Sequence, residues 1–596
     1  MTEAPARNEA ITQAWELLQQ EQPSQRVLGL VDHIAADNAD FAKAQHVRGA
    51  CALRDGDYAR ATALLIDAIQ RGQSTSAVWA QMASAAANIG VPDPASSMLL
   101  EMAKSNATPL LFDFAVRLMR ALDFGSKGPH ARKDAAFDKI LLPILSTFLE
   151  RRDMDAAIKL ENLLYEHYIK TNESEAHFNS CMERIAPLFT KAAYALRREL
   201  PPVPQPKLEP PYRIGFFIHN ASTLAHIDNI LKTLKGYRML DEQPFEPTVY
   251  CFSGKSLEME NALADLNVRL VMLNERFPET HGSPWQRLLR LRELLSQEGV
   301  QELVWVSLVT MLPLAFGLRI APVQVWFAMK YKTFSHDDID GYVMLSRLTR
   351  FSTVSGRRWR TAMGGIDDWY DSGAEAQAVA LRAPLRDRVV LMTLGRTEKM
   401  LDPAYLNAVA HILKAHPETF FMWAGRDESP LVVNTFKEAG VLERTRFVGW
   451  VDTRLYAQVA DIFLDSFPFP CGYTLFQAMA AGKAIVTYAS PESAQSGLWS
   501  FFKSVVDDGE GTDEERAELR SFTGDESNPL IPVARTPEDY VRHATRLIDD
   551  AQARAAVGDA CQRLIARYFS DPRTMGSALA QHFIEVIEER RAASPD

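Results

Sequence analysis

Between Tyr212 and Ala489 the chain repeats one pattern: a short apolar run, a stretch with helical periodicity, then another apolar run. Six runs come first, "YRIGFFIHN", "PTVYCFSG", "VRLVML", "VQELVWVSL", "PVQVWFAM" and "DGYVML", separated by stretches such as "HIDNILKTLKGY" and "PWQRLLRLRELLSQEG". After a polar, Ala-rich break near 372–386, a second series follows: "RVVLMTLG", "TFFMWAG", "TRFVGW", "DIFLDSFPF" and "KAIVTYA". Strands that alternate with helices pair in parallel through right-handed crossovers, because only that hand packs the helix back onto a twisted sheet. Two series in tandem predict two Rossmann-like halves, with a ligand cleft where the carboxyl ends of their strands face each other.

What precedes this pattern is different in kind. Residues 1 to about 200 carry almost no strand signal and show helical periodicity with a weak internal repeat. Gly49, Gly56, Tyr58, Ala61, Leu65 and Ala68 fall at the spacings of a tetratricopeptide repeat. Ala83, Gly90, Ala95 and Met102 follow 34 residues on, with Trp79 at the repeat's usual Trp position. Small residues let paired helices approach closely, and Tyr58 and Leu65 fill the space between pairs. A generic helical bundle would satisfy the same pattern. Either way no catalytic constellation is visible there, so the region reads as a docking module. The segment "RRELPPVPQPKLEPPYR" (197–213) then places six prolines in seventeen residues. Proline lacks the backbone donor that a helix or central strand needs, so this stretch is a stiff extended linker.

These boundaries predict a helical region over 1–196 and a linker over 197–211. An acceptor-side half over 212–380, a donor-side half over 381–575 and a terminal helix over 576–596 returning toward the first half complete the chain. The chain's 596 residues suit roughly three or four domains. A formal net charge of -11 argues against nucleic acid or an anionic membrane as the main partner, since both are polyanions. The five cysteines, Cys51, Cys181, Cys251, Cys471 and Cys561, form no CxxC or Cys/His cluster, so neither a zinc site nor a disulfide framework is encoded. The acidic, polar start "MTEAPARNEAITQAW" shows no signal peptide. "TMLPLAFGLRIAPVQVWFAM" (310–329), the most apolar stretch, contains Arg319, Gln324 and two prolines and reads as buried segments around a turn. The expectation is a cytoplasmic protein without membrane insertion.

Polar groups gather at the predicted strand ends of the second series. Arg396, Thr397, Glu398 and Lys399 follow "RVVLMTLG", and a helix starts near Asp402 and Pro403. "DIFLDSFPFPCGYTLFQAMAAGKAIV" (461–486) reads as a strand ending at Asp465, a loop over Ser466–Gly472, and a helix from Tyr473 or Thr474 to about Gly482. A helix N-terminus reached through a Gly/Pro loop at a sheet mouth binds phosphate through free N–H groups and the helix dipole. Lys399 on the neighbouring strand end would then add a point charge. A turn lysine and a helix that merely packs would read the same from these residues alone.

The second series resembles the C-terminal half of a GT-B glycosyltransferase, and more narrowly glycosyltransferase family forty-one. That family holds O-GlcNAc transferase and the bacterial adhesin-modifying N-glycosyltransferases. The likeness rests on "TEKMLDPAYLNAV", "SFPFPCGYTLFQAMAAGKAIV", "LRIAPVQVWFAMKYKTFSHDDIDGYVM" and "RYFSDPRTMGSALAQHF", spans roughly 211–590 and is strongest over 388–590. It implies an α/β GT-B fold behind an all-α tetratricopeptide-like region. By resemblance Lys399 contacts the diphosphate and His226 in "ASTLAHIDNIL" is the base near the acceptor. His336 in "KTFSHDD" positions sugar or acceptor. Gly472, Tyr473 and Thr474 form the diphosphate turn with Arg396 and Thr397 nearby, and Phe447 to Trp450 meet the base. Gln477 stands where the family has Asp on the ribose, so UDP-hexose is the family default and another nucleotide sugar is open.

The resemblance further implies an inverting enzyme with no cofactor and no metal; the nucleotide sugar is a substrate. "DDID" puts Asp338 and Asp340 at DxD spacing, but acidic turns are common. Five arginines, Arg347, Arg350, Arg357, Arg358 and Arg360, could bind an acidic sugar or an acidic acceptor surface, or form a solvated loop. The leading expectation is a protein glycosyltransferase whose helical repeats dock a cytoplasmic acceptor such as an adhesin or flagellin. The competing one is a catalytically weak GT-B scaffold whose repeats bind a partner, with Gln477 marking a decayed site. A transferase acting on lipid or polysaccharide is disfavoured, since no basic amphipathic membrane-facing helix is present.

Overall fold

The computed structural model describes residues 3–89, 93–105, 108–123, 131–169, 175–221, 225–254, 256–306, 308–329, 333–345, 350–364, 372–490, 497–506, 512–523 and 530–593. The chain divides into two compact units. The first is built on residues 1–200 with two short segments, 282–286 and 313–318, and the second holds the remainder.

Among the described residues, 3–199 contain helices and no strand. Helix Phe41–Arg54 packs on Tyr58–Gln70, which packs on Ser76–Ile89. Gly49 explains the first pairing: a β-carbon there would stand 2.8 Å from the Leu65 side chain, so the helices meet where glycine leaves room. Trp79, Ala61, Leu65, Ala68 and Ala83 are all buried in this region. Asp57 and Asp153 each cap a helix by accepting from a backbone N–H of its first turn. Gly90 lies outside the described residues. Helix Glu175–Glu199 closes the unit.

The second unit contains two sheets. Strands β1 (Tyr212–Asn220), β2 (Phe245–Ser253), β3 (Arg269–Met272), β4 (Glu302–Val306), β5 (Val323–Phe327), β6 (Gly341–Leu345), β7 (Phe351–Val354) and β8 (Arg357–Ala362) form an eight-stranded sheet ordered β3-β2-β1-β4-β5-β6-β8-β7. Every pairing is parallel except β7 with β8. Strands β9 (Val389–Leu394), β10 (Thr419–Ala424), β11 (Thr445–Phe447), β12 (Ile462–Leu464), β13 (Ala484–Tyr488) and β14 (Val533–Ala534) form an all-parallel sheet ordered β11-β10-β9-β12-β13-β14. The fold is therefore the expected pair of Rossmann-like halves behind an all-helical region. In both sheets the order reverses beside the first strand, between β1 and β4 and between β9 and β12, and ligands of such folds bind at that reversal.

The arginine-rich segment corrects the sequence reading. Residues 351–362 are neither a loop nor a free basic surface but the hairpin β7–β8 at the sheet edge. Helix Pro572–Ala593 crosses back to the first half and pairs with it: Arg360 donates to Glu589 at 2.5 Å, Arg358 lies 3.6 Å from Glu589, and Arg350 pairs with Glu585. Arg357 pairs with Asp337, and Arg347 lies outside the described residues. The same helix buries Met575, Leu579, Phe583 and Val586 against β1 and its neighbours, with Phe583 edge-on to Phe216. Acids on its polar side thus neutralise the arginines while its apolar side completes the core.

All five cysteines are free and buried. Among the described residues, no helix is long and apolar enough to cross a membrane.

Candidate functional site

The site assembles where β9 and β12 end. Thr393, fully buried in β9, donates its hydroxyl to the Leu464 carbonyl at 2.7 Å and lies 2.6 Å from the Tyr405 hydroxyl, which locks the two strand ends together. Past β9 the chain makes one 3-10 turn, Thr397–Met400. Asp402 then caps helix Pro403–Ala415 by accepting from the Ala404 N–H, as the Asp-Pro pair predicts. In that turn Lys399 donates from Nζ to the Pro470 carbonyl at 2.5 Å. An ammonium has three donors, so this bond aims the charge and leaves two for a ligand. Thr397 donates to the Asp427 carbonyl at 2.8 Å, tying the same turn to the end of β10.

Past β12 the loop 466–472 is folded around Asp465, a residue the sequence reading used only as a strand end. Its carboxylate is fully buried and accepts from the Cys471 N–H at 2.6 Å and from the Thr487 hydroxyl at 2.7 Å. Tyr540 donates to its carbonyl at 2.8 Å. Burial pushes its pKa up to about 6, against the pull of these donors and of Lys399. Asp465 is thus a positioning residue: it sets the loop whose Pro470 carbonyl aims Lys399. The available signal was its place, an acid at the end of an apolar strand beside a Gly/Pro loop. Ser466 and Ser490 add bonds to the Phe469 and Pro468 carbonyls.

The loop delivers helix Tyr473–Ala480 to the strand mouth. Gly472 precedes it at φ 64, a left-handed conformation that favours glycine, and no side chain caps the helix. The Leu475 N–H already donates to the Gly472 carbonyl at 3.0 Å, so the N–H groups of Tyr473 and Thr474 precede the intrahelical ladder, and the positive end of the helix dipole sits beside Lys399's anchor. Thr474 donates its hydroxyl to the Leu394 carbonyl, so its side chain holds the helix to β9. Gln477, one turn on and 4 % exposed, has a carbonyl oxygen, Oε1, that is buried without a hydrogen-bond partner. Such an orphan costs about 1–3 kcal/mol unless something accepted into the site satisfies it.

The remaining candidates stand nearby in the fold or apart from it. Arg396 is exposed at the end of β9. Phe447 ends β11 and Val448–Trp450 follow it, where the Val448 N–H donates to the Trp423 carbonyl and the Gly425 N–H to the Gly449 carbonyl; Trp450 is 68 % exposed. His336, in the first half, is buried. The Asp338 N–H donates to its Nδ1 at 3.1 Å, which puts the proton of the neutral ring on Nε2, and burial lowers its pKa. Asp340 is held by Arg319 at 2.6 Å and by the Gln324 N–H at 2.8 Å, so the DxD spacing serves the packing of β5. His226 falls in helix Ala225–Arg238, but its side chain lies outside the described residues. Among the described residues, His416, Glu418 and Asp549 have ligand atoms within 4.8 Å of one another. They stand at the amino ends of the strands, away from this site, and the two acids are exposed.

The comparisons bear on this geometry. Residues 388–509, which hold Lys399, Asp465, the loop and Gln477, match the family model of glycosyl transferases group 1. The chain is similar in structure to a mutant of the Thermobaculum terrenum O-GlcNAc transferase, at 16% identity over 94% of this chain and 100% of that one, with a TM-score of 0.50. Other similar structures are Anabaena HepE in complex with UDP and glucose (12% identity, 62% of this chain and 98% of that one, TM-score 0.42) and the pneumococcal O-GlcNAc transferase GtfA in complex with UDP and GlcNAc (9%, 64% and 99%, 0.41). No curated protein matches the chain. The second unit is thus a GT-B fold whose C-terminal half carries a glycosyltransferase group 1 domain.

Proposed function

We propose that this protein is a glycosyltransferase that moves a sugar from a nucleotide donor to side chains of an acceptor protein. The observation that carries the reading is the pairing at the strand mouth of an uncapped helix N-terminus and Lys399, with the orphaned Gln477 carbonyl one turn inside. A nucleoside diphosphate suits this arrangement: phosphate oxygens beside the helix N-terminus and the ammonium, and ribose hydroxyls for the Gln477 carbonyl.

In the reaction the acceptor's hydroxyl or amide attacks the anomeric carbon as the bond from that carbon to the diphosphate oxygen breaks. The electron pair leaves on the diphosphate, where Lys399 and the helix dipole offset it. A single displacement inverts the anomeric centre. The acceptor's proton goes to a base, a role that the family resemblance gives to His226. Helix dipole and ammonium together supply charge stabilisation of the kind that a metal supplies elsewhere, and the reading is of metal-independent transfer with UDP-hexose as the default donor. The helical region is the acceptor-docking part, with an adhesin or flagellin as the class of acceptor.

The test is intact mass of a candidate acceptor co-expressed with this protein, since the added mass reports both activity and sugar. A parallel titration of the purified chain with UDP, CMP and GDP separates enzyme from scaffold: binding of none of them leaves the partner-binding scaffold in its place.

A further inference from the structure

At the amino ends of the second sheet's strands, three side chains converge that take no part in the donor site. His416 is the C-cap residue of helix Pro403–Ala415, Glu418 stands just before β10, and Asp549 ends helix Pro537–Asp549. The His416 ring is buried, with Nδ1 3.2 Å from a Glu418 oxygen and 3.4 Å from an Asp549 oxygen. On the ring's other side Nε2 lies 3.2 Å from the Thr545 hydroxyl, which fixes the imidazole between a helix and the two acids. A proton on Nε2, donated to that hydroxyl, turns the Nδ1 lone pair toward the carboxylates, and the three facing groups then call for a cation between them. The arginines beside this loop bond to main chain instead. Arg388 donates to the Pro417 carbonyl, and Arg444 to the carbonyls of His416 and Leu413.

The separations fit a metal ion. Zinc bonds of roughly 2.0–2.2 Å to nitrogen and oxygen, set tetrahedrally, place ligand atoms about 3.4 Å apart. Two carboxylates with a neutral imidazole match the charge of a divalent ion, and the mix of one nitrogen with oxygens suits a transition metal. A separate feature favours a cation at the same place. Two helices end here, and the negative ends of their dipoles meet at His416 and Asp549. We propose that His416, Glu418 and Asp549 bind a zinc-type divalent ion that staples together the carboxyl ends of two helices bracing the donor site. Helix Pro403–Ala415 begins just past the Lys399 turn, and Tyr540 of helix Pro537–Asp549 donates to the Asp465 carbonyl at 2.8 Å. Each helix has 13 residues and is about 20 Å long, so the ion sits a helix length from the Lys399 turn and serves stability, not transfer. The inference does not depend on the donor reading.

The experiment is calorimetric titration of the full-length chain, freed of metal by a chelator, with zinc chloride. Thermal midpoints with and without zinc accompany it. The chain has 13 histidines, so the variants identify the site. Wild type should bind one zinc ion saturably, and its midpoint should rise with zinc, because an ion that binds only the folded chain stabilises it. His416→Gln and Asp549→Asn should each lose that binding and the rise, with Asp549→Asn, an exposed position, as the variant that keeps the fold if His416→Gln does not. Thr545→Val should weaken zinc by about tenfold, the lower range for a group that orients a ligand histidine. Zinc binding equal to wild type in Asp549→Asn or His416→Gln overturns the proposal. So does the absence of saturable zinc binding by wild type, which leaves a protonated His416 paired with the two acids.

Discussion

Gly236 and Gly576 meet backbone to backbone where helix Pro572–Ala593 crosses helix Ala225–Arg238. A β-carbon on either would run into the main chain of the other helix, at Pro572 in one case and at Gly236 and Tyr237 in the other. Main chain cannot swing aside as a long side chain can. Gly576→Ala should therefore force the crossing apart and cost about 1–3 kcal/mol, the usual range for overpacking. A lower guanidinium midpoint by tryptophan fluorescence is the expected result, and a wild-type midpoint would show that the crossing is not tight.

Lys399→Ala should abolish most transfer while leaving the fold intact, because it removes a leaving-group charge from a half-buried turn and no core atom. One such contact is worth about 3–4 kcal/mol of barrier, or roughly 10²–10³ in rate. Product formation by mass spectrometry, with circular dichroism as the control for folding, measures it. Wild-type turnover would remove Lys399 from the reaction.

Asp465 titrates in the fold at about 6, above its ordinary range, because burial disfavours its charged form. The folded state therefore holds this proton to a higher pH than the unfolded chain does. The group's contribution to stability is fully present below about pH 4 and is lost as pH rises through about 6. Asp465→Asn keeps an acceptor for the Cys471 N–H and does not titrate. The stability of wild type relative to Asp465→Asn should thus fall between pH 4 and 6 by on the order of 2–3 kcal/mol and level off above pH 7. Thermal midpoints of both proteins over pH 4–8 give the comparison, and parallel curves would refute the assignment.

Gln477→Asp should tighten UDP by about 1 kcal/mol, the difference between a neutral and a charge-assisted bond to the ribose hydroxyls. Calorimetry with UDP, CMP and GDP reads it. Equal or weaker binding of all three would take residue 477 off the ribose.

The two-sheet architecture was legible in the sequence because it is written locally. Each of the six runs before the break and the five after it became a strand; the central ones, such as β4, β5 and β12, are buried on both faces and so must be apolar almost throughout. The turn chemistry was equally local: Asp402-Pro403 starts a helix, and Gly472 supplies the positive φ before another. Three things were settled only by contacts distant in the chain. The arginines at 350–360 look like a basic surface until Glu585 and Glu589, more than 200 residues away, arrive to neutralise them. Asp465 is an unremarked acid until Cys471, Thr487 and Tyr540 surround it and hold the loop that aims Lys399. Lys232 is one polar residue of an amphipathic helix until the fold lays it over Tyr473. Periodicity encodes which face of an element is buried, because that depends on neighbours one turn or one residue away. It carries no record of which distant charge will meet which, because that depends on where the halves place their helices, and so the chemistry of the cleft appears only once the chain has folded.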